Sequence, residues 1–192
     1  MVTERRIQKI KRILNFRQTD LTVVCENIHD PHNVSAILRS CDAVGIDTVQ
    51  LIYNEEVFPK LGKKSSASAK KWLNIKRHKN YPELRKTLKN QEMTIYATYI
   101  DPTAYSIYDI DWTGPSAIIM GNEHRGVSVQ ARDIADQLIT IPMFGMIESL
   151  NVSVATAVIL YEACRQRLLN RQYHESKNQA WINRNLNRWL KL

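Results

Sequence analysis

Apolar positions along the 192-residue chain recur with two different periods, and the period changes from segment to segment. Over residues 3–17, Ile7, Ile10, Ile13 and Leu14 return at helical spacing with Arg5, Lys9 and Arg12 opposite them, which predicts an amphipathic helix. "LTVVCEN" (21–27) is a short unbroken apolar run and predicts a buried strand. In "NVSAILRSCDAVG" (33–45), Val34, Ile37, Leu38 and Cys41 fall at i, i+3, i+4 and i+7, and Gly45 supplies a stop, so this segment predicts a helix. "DTVQLIY" (47–53) alternates as a strand does, and 72–76, 93–98, 116–120 and 138–142 are further strand candidates. Helical patterns fill 80–90, 128–136 and a long run from about 150 to 170. A last amphipathic pattern, 177–191, sets Trp181, Ile182, Leu186, Trp189 and Leu190 against Arg184, Arg188 and Lys191. Strand and helix alternating in this way predict an α/β fold with a parallel sheet. The expected organisation is a basic helix at 1–19, a central α/β domain at 20–170 and a basic amphipathic helix at 171–192.

Composition narrows the setting. No apolar run reaches membrane-spanning length, and "MVTERRIQKIKRILNF" has no signal-peptide apolar core, so a soluble, cytoplasmic protein without a membrane partner is expected. Cys25, Cys41 and Cys164 are dispersed, odd in number and set among apolar residues, the pattern of reduced thiols. The formal charge of +8 is unevenly spread: +4 over 1–20, +10 over 60–89, +6 over 165–192 and −12 over the remainder. Three basic clusters around an acidic body point to a polyanionic partner, nucleic acid above all.

Three stretches are candidates for chemistry. In "NIHDPHNVSAILRS" (27–40), Asn33 stands at the predicted helix start, and Arg39 projects about 150° from the apolar stripe beside small residues, at 100° per residue. An arginine there is a solvated charge or a bidentate phosphate ligand. His29 and His32 are spaced H-x-x-H, but no third ligand accompanies them, so no metal is expected. "AIIMGNEHRGVS" (117–128) is an apolar strand, a loop holding Gly121, Glu123 and Gly126, and a helix opened by Ser128. Val127 stands where a phosphate-binding loop needs lysine, and what remains is a ligand-type loop at the carboxyl end of a strand. "IPMFGMIESLN" (141–151) is an apolar, glycine-bent loop entering a helix, with Ser149 and Asn151 where a cap would sit. Such a loop suits a ligand that needs apolar walls and backbone hydrogen bonds, an adenine nucleoside for example.

In order and spacing, "NIHDPHNVSAILRSCDAVG", "IIMGNEHRGVS" and "IPMFGMIESLNVSVATAVILYEA" resemble the three motifs of the SPOUT-class RNA 2'-O-ribose methyltransferases. The likeness is strongest to the branch that methylates the tRNA D-loop guanosine at position 18, and it runs from Arg17 to Arg167. It implies an α/β domain with a C-terminal trefoil knot, a topology that periodicity would not suggest. It also implies S-adenosyl-L-methionine as cofactor, held in a bent shape by the 141–151 loop, tRNA as substrate, and a homodimer with the active site between subunits. Cofactor contacts carry over to Thr98, Gly121, Ile141, Met143 and Leu150, and catalytic and substrate-side roles to Asn33, Arg39, Glu123, Ser149 and Asn151. One departure is "SSASAKKW" (65–72), where alanine and serine replace the family's glycines ahead of the tryptophan.

Within that resemblance Arg39 is the proposed proton acceptor of the 2'-hydroxyl. Arginine side chains stay protonated in proteins, so holding the phosphate and acidifying the hydroxyl electrostatically is the more physical role. A 2'-O-methylase with the same chemistry acting on ribosomal RNA or on another tRNA position, and a non-catalytic RNA-binding protein, are the alternative readings. The two terminal helices are expected to pack apolar faces on the body and turn their basic faces to RNA.

Overall fold

The computed structural model describes residues 3–60, 67–173 and 178–191. The chain opens with α1 (Glu4–Asn15) and then alternates β1 (Leu21–Glu26), α2 (Pro31–Ala43), β2 (Thr48–Ile52), α3 (Ala67–Trp72), β3 (Asn74–His78), α4 (Tyr81–Lys89) and β4 (Thr94–Thr98). The short β5 (Tyr105–Ser106) follows, then β6 (Ser116–Met120), α5 (Val129–Ile134), β7 (Gln137–Thr140), α6 (Val152–Leu169) and α7 (Gln179–Leu190). Among the described residues every strand pairing is parallel, and the order across the sheet is β3-β2-β1-β6-β4-β7-β5. The parallel α/β architecture expected from the sequence is therefore present. Two elements escaped the pattern. The two-residue β5 is too short to show a period, and α3 occupies the residues before β3, whose start lies two residues beyond the expected one. Of "SSASAKKW", Ser65 and Ser66 lie outside the described residues.

The sheet is buried on both faces, which is why β1 and β6 read as unbroken apolar runs. Leu21, Val23 and Cys25 of β1 point into one core with Val34, Ile37, Leu38 and Cys41 of α2 and Ile159, Leu160 and Ala163 of α6. Val24 and, from β6, Ala117 and Ile119 point into the other, closed by Leu84 and Leu88 of α4 and Ala131 and Ile134 of α5. Alternate residues of one strand thus feed two helical layers. Cys25 and Cys41 are buried, Cys164 is half-buried, and all three are free thiols. Burial pushes the Cys25 thiol up to about 12, so it is inert as a nucleophile. Among the described residues no helix is long and apolar enough to cross a membrane.

The terminal helices pack on one another. Ile10 and Leu14 of α1 meet Ile182, Leu186 and Trp189 of α7, with Trp72 at the edge. Arg5, Lys9 and Arg12 stay exposed, as does Arg184. Arg188 departs from its expected place on the outer basic face: it is half-buried and its guanidinium donates to the Asn74 side chain. Burial lowers its pKa, and the reason for its position is that α7 lies over the start of β3.

Two buried arginines tie these layers. Arg167 of α6 is fully buried and donates to the carbonyls of Trp112 (2.9 Å) and Gly114 (2.8 Å), to Gln18 Oε1 (2.9 Å) and to Asp20 Oδ1 (2.6 Å). Arg17 donates to the Ile46 carbonyl, Asp42 and the Trp72 carbonyl. Charges so placed hold only because donors and acceptors match, and removing one partner strands the others. Arg167→Met should lower unfolding free energy in urea by about 3 kcal/mol, whereas Asp20→Asn, at a half-exposed partner, should cost about 1 kcal/mol. Parental stability of the Met variant would show that Arg167 is no such tie.

Candidate active site

A cleft of about 640 Å³ opens at the carboxyl ends of β4, β6 and β7, where strand order departs from chain order. Its walls are the end of β4, the 121–127 loop after β6, and the 139–152 segment from β7 into α6. All five residues expected to hold a cofactor, Thr98, Gly121, Ile141, Met143 and Leu150, line it. Glu123, Ser149 and Asn151 line it as well. Asn33 stands behind the cleft on α2, and Arg39 lies outside it.

Each wall has a local cause. The loop after β6 is pinched shut by paired backbone hydrogen bonds between Asn122 and Gly126, at 3.0 and 2.8 Å. Gly126 turns the chain at φ +67°. A Cβ on Gly121 would sit 2.3 Å from the Gly126 and Val127 backbone, so only glycine allows this closure. Asn122 ties the loop inward, donating to the Asn27 carbonyl at 2.8 Å and accepting from the N–H groups of His124 and Arg125. Asn27 itself adopts φ +48°, and its Oδ1 accepts from the N–H groups of Asn54, Glu55 and Glu56. At the end of β1 the buried Glu26 carboxylate accepts from the Tyr81 hydroxyl (2.6 Å) and from Ser128 N–H (3.1 Å), which fixes the start of α5. Burial, reinforced by the bond to Glu26, pushes the Tyr81 hydroxyl up to about 12. Sequence reasoning missed Glu26, Asn27 and Asn122. The available signal was a polar residue closing an otherwise apolar strand, in "CEN" and "MGN".

The opposite wall is different. Among the described residues, the backbone N–H and C=O groups of 141–150 make no hydrogen bond within the protein. They are paired with nothing but what enters the cleft or the solvent around it. Ile141, Met143 and Leu150 give this wall apolar side chains. The residues therefore fit S-adenosyl-L-methionine, whose adenine needs apolar faces and backbone donors and acceptors. Among the polar residues of "ESLN", Asn151 has a defined structural role. It is the N-cap of α6, with Oδ1 accepting from Ser153 N–H at 2.8 Å, while its Nδ2 donates to Asn33 Oδ1 at 3.0 Å. Ser149 is exposed and caps nothing.

Asn33 passes the connection on. It sits in the first turn of α2, which starts at Pro31 with Asp30 as its cap, so Asn33 lies inside the helix rather than at its start. Its Nδ2 donates to Glu123 Oε1 at 2.9 Å, and the same carboxylate accepts from the N–H groups of His29 (3.0 Å) and Asp30 (3.2 Å). Three segments distant in sequence are thereby joined: the loop after β6, the start of α2 and the start of α6. Burial works against the Glu123 charge, yet the Asn33 amide and these N–H groups outweigh it and hold the carboxyl below its ordinary range.

Arg39 is exposed, two turns further along α2, and among the described residues it makes no ion pair or hydrogen bond. His29 Nδ1 faces Glu56 at 3.3 Å, and no group of three or more His, Cys, Asp or Glu able to hold a metal occurs among the described residues.

Because the folded-state pKa of Glu123 is depressed, its contribution to stability is present above the ordinary carboxylate range and is lost as pH falls through the folded value. Glu123→Gln should cost about 1 kcal/mol near neutrality, since an amide N–H₂ would face donors it cannot satisfy. The same change should flatten the acid limb of the stability profile measured by urea unfolding. An acid limb identical to the parent's would exclude this role for Glu123.

The model of the SpoU rRNA Methylase family matches residues 20–161. The chain is 46% identical over 166 residues to a tRNA (guanosine(18)-2'-O)-methyltransferase of Thermus thermophilus, covering 86% of this chain and 85% of that one. It superposes on the crystal structure of the Aquifex aeolicus TrmH/SpoU tRNA modifying enzyme with TM-score 0.91 at 37% identity, over 98% and 96% of the two chains. It also superposes on the SpoU methyltransferase AviRb from Streptomyces viridochromogenes in complex with AdoMet, with TM-score 0.71 at 28% identity, over 79% and 62%. With most of its length inside the family model and the same parallel fold, this chain belongs to the SpoU rRNA Methylase family.

Proposed function

We propose that this protein is a tRNA (guanosine(18)-2'-O)-methyltransferase that transfers a methyl group from S-adenosyl-L-methionine to the ribose 2'-hydroxyl of the D-loop guanosine. The observation that carries this reading is the cleft: two loops walled by the expected cofactor residues and locked by Asn151, Asn33 and Glu123. The relative from Thermus thermophilus, similar over most of both chains, carries that activity in its name, and AviRb binds AdoMet in the same fold. The deep knot of the C-terminal chain belongs to the same reading, supported by the TM-score of 0.91 to the Aquifex structure. The cytoplasm, where tRNA is modified, is the proposed location.

When bound, the cofactor supplies a methyl on a sulfonium, reactive enough that alignment accounts for much of the rate. Thr98, Gly121, Ile141, Met143 and Leu150 hold its adenosyl portion, and the free backbone groups of 141–150 orient it. Arg39 would grip the phosphate beside the acceptor ribose with its planar fork and make the 2'-hydroxyl more acidic, so that its proton passes to solvent water as the oxygen takes the methyl group. Ser149 and Asn151 position the ribose, while Asn33 and Glu123 act through Asn151 as positioning residues.

The site is completed in a homodimer, which accounts for Arg39 lying outside its own chain's cleft. Exposed apolar groups support this assembly. Val154, Tyr161 and Leu168 recur every seventh residue along one exposed face of α6, and Phe144 and Met146 are each 99% exposed. Faces of this kind on a soluble chain are covered by a partner.

Arg39→Ala should reduce single-turnover methylation of tRNA by about a hundredfold or more while leaving cofactor affinity unchanged. Arg39→Lys should fail too, because lysine lacks the bidentate fork. The acceptor is checked with tRNA carrying 2'-deoxyguanosine at position 18, which should take up no methyl. Methylation of the deoxy substrate at the parental rate would refute the assigned reaction, and near-normal activity of the Lys variant would refute the phosphate grip.

A further inference from the structure

The turn after β2 carries an aromatic ring with two cations set against it. The Arg77 guanidinium of β3 lies over the Phe58 ring, 4.6 Å from its centre, and the Lys70 ammonium of α3 stands 6.0 Å from the same centre. Tyr53 meets that ring edge-on at 5.1 Å. Phe58 is half-buried against the core, whereas Arg77 and Lys70 are both exposed, and none of the three lines the cleft. The turn is pinned to the carboxyl end of β1. Asn27 Oδ1 accepts from the N–H groups of Asn54, Glu55 and Glu56, and the Tyr53 hydroxyl donates to the Ile28 carbonyl at 3.1 Å. The ring therefore has a fixed place relative to the cleft, and the cations on it are held with it.

The charge at this place is uncompensated. Residues 67–80 hold five lysines and arginines and no carboxylate. The carboxylates on either side are engaged elsewhere: Glu55 and Glu56 each pair with Arg125 at 3.0 Å, and Glu83 accepts from the Lys79 N–H at 3.2 Å. Arg77 makes no ion pair or hydrogen bond among the described residues. Its contact with Phe58 limits the side chain's freedom but supplies no oxygen acceptor, so the guanidinium fork stays available to a phosphate. β3 is an edge strand, and cations on an edge also discourage pairing with another chain. That duty needs charge alone. A braced, exposed guanidinium beside an ammonium fits an RNA phosphate, which uses both the charge and the fork.

We propose that Arg77, braced on Phe58, and Lys70 beside it form a phosphate-binding site for the backbone of the RNA substrate, away from the nucleotide that receives the methyl group. This rests on the reading of the protein as an RNA-modifying enzyme. The placement suits that use. Ile75 and Arg77, two residues apart on β3, share one face of the sheet, and Ile75 packs on the core that α2 and α3 cover. α2 and α3 also pack against each other. Arg39 of α2 is thus on the same side of the sheet as Arg77 and Lys70, so an RNA held at Arg39 meets a second grip on that side. The terminal helices do not contribute to it.

The test is tRNA binding by the full chain, measured across a salt series. Arg77→Gln should raise the tRNA Kd by about three- to tenfold and flatten the plot of log affinity against log salt by one phosphate contact, roughly 0.7–0.9 in slope. Lys70→Gln should act in the same direction. Lys86→Gln, an exposed change on α4 outside the group, should leave Kd and slope at parental values. Phe58→Leu keeps every charge, so it should raise Kd by about two- to threefold with the slope unchanged. Melting temperature and cofactor affinity of the Arg77 and Lys70 variants should match the parent's, since both side chains are exposed and outside the cleft. Parental Kd and slope in Arg77→Gln would overturn the proposal and leave the cation as an edge-strand guard. An equal loss in Lys86→Gln would overturn a defined site in favour of a diffuse positive field, and a parental Kd in Phe58→Leu would overturn the brace. A parent chain that binds no tRNA would overturn the RNA reading and this site with it, so the parent's own binding separates the two failures.

Discussion

Three side chains, Asn151, Asn33 and Glu123, form one hydrogen-bonded chain on which the geometry of the cleft depends. Asn33 lies 90 or more residues from each of the other two, on a different βα unit. No backbone ladder joins them, because the sheet ends where the loops begin. An amide can accept from one neighbour through its oxygen and donate to another through its nitrogen, and Asn33 does both. At one end the Glu123 carboxylate also gathers two backbone N–H groups near the start of α2. At the other end the Asn151 side chain caps α6 with its oxygen while its nitrogen points to Asn33. A structural cap and a site residue are here the same side chain.

The body beneath this network is arranged to keep the loops in place. Glu26, Asn27 and Asn122 anchor the loop after β6 to the end of β1, and Gly121 lets it close. Arg167 anchors the far end of α6 to the segments before β1 and before β6. The 141–150 segment between these fixed points keeps its backbone polar groups unspent. In the proposed function those groups are where binding energy is collected. The exposed apolar side chains of the same loop and of α6 are the surface where, in that proposal, a second subunit completes the site.

Much of this was legible in the sequence. The apolar periods of "LTVVCEN", "NVSAILRSCDAVG" and the long final run placed β1, α2 and α6 within a few residues, because burial on one stripe or both faces leaves a regular trace. The residues expected to hold a cofactor gathered on one cleft because motif order places them at the carboxyl ends of adjacent strands. The rest depended on tertiary contacts that carry no period. Arg188 looked like an outer-face charge until α7 met β3, and no period in the sequence marks Arg17 and Arg167 as the buried ties they are. Glu26 is a carboxylate at the end of an apolar strand, and only the approach of Tyr81 and Ser128 explains it.

The central claim is that the hydrogen-bonded chain acts as one unit in shaping the cofactor cleft. A double-mutant cycle on Asn33→Ala and Asn151→Ala, read by calorimetric affinity for S-adenosyl-L-methionine, tests it most directly. Each single change breaks the same connection, so the pair should cost little more than either alone, with a coupling energy of about 1 kcal/mol or more. Losses that simply add, as they do for independent sites, would contradict the account.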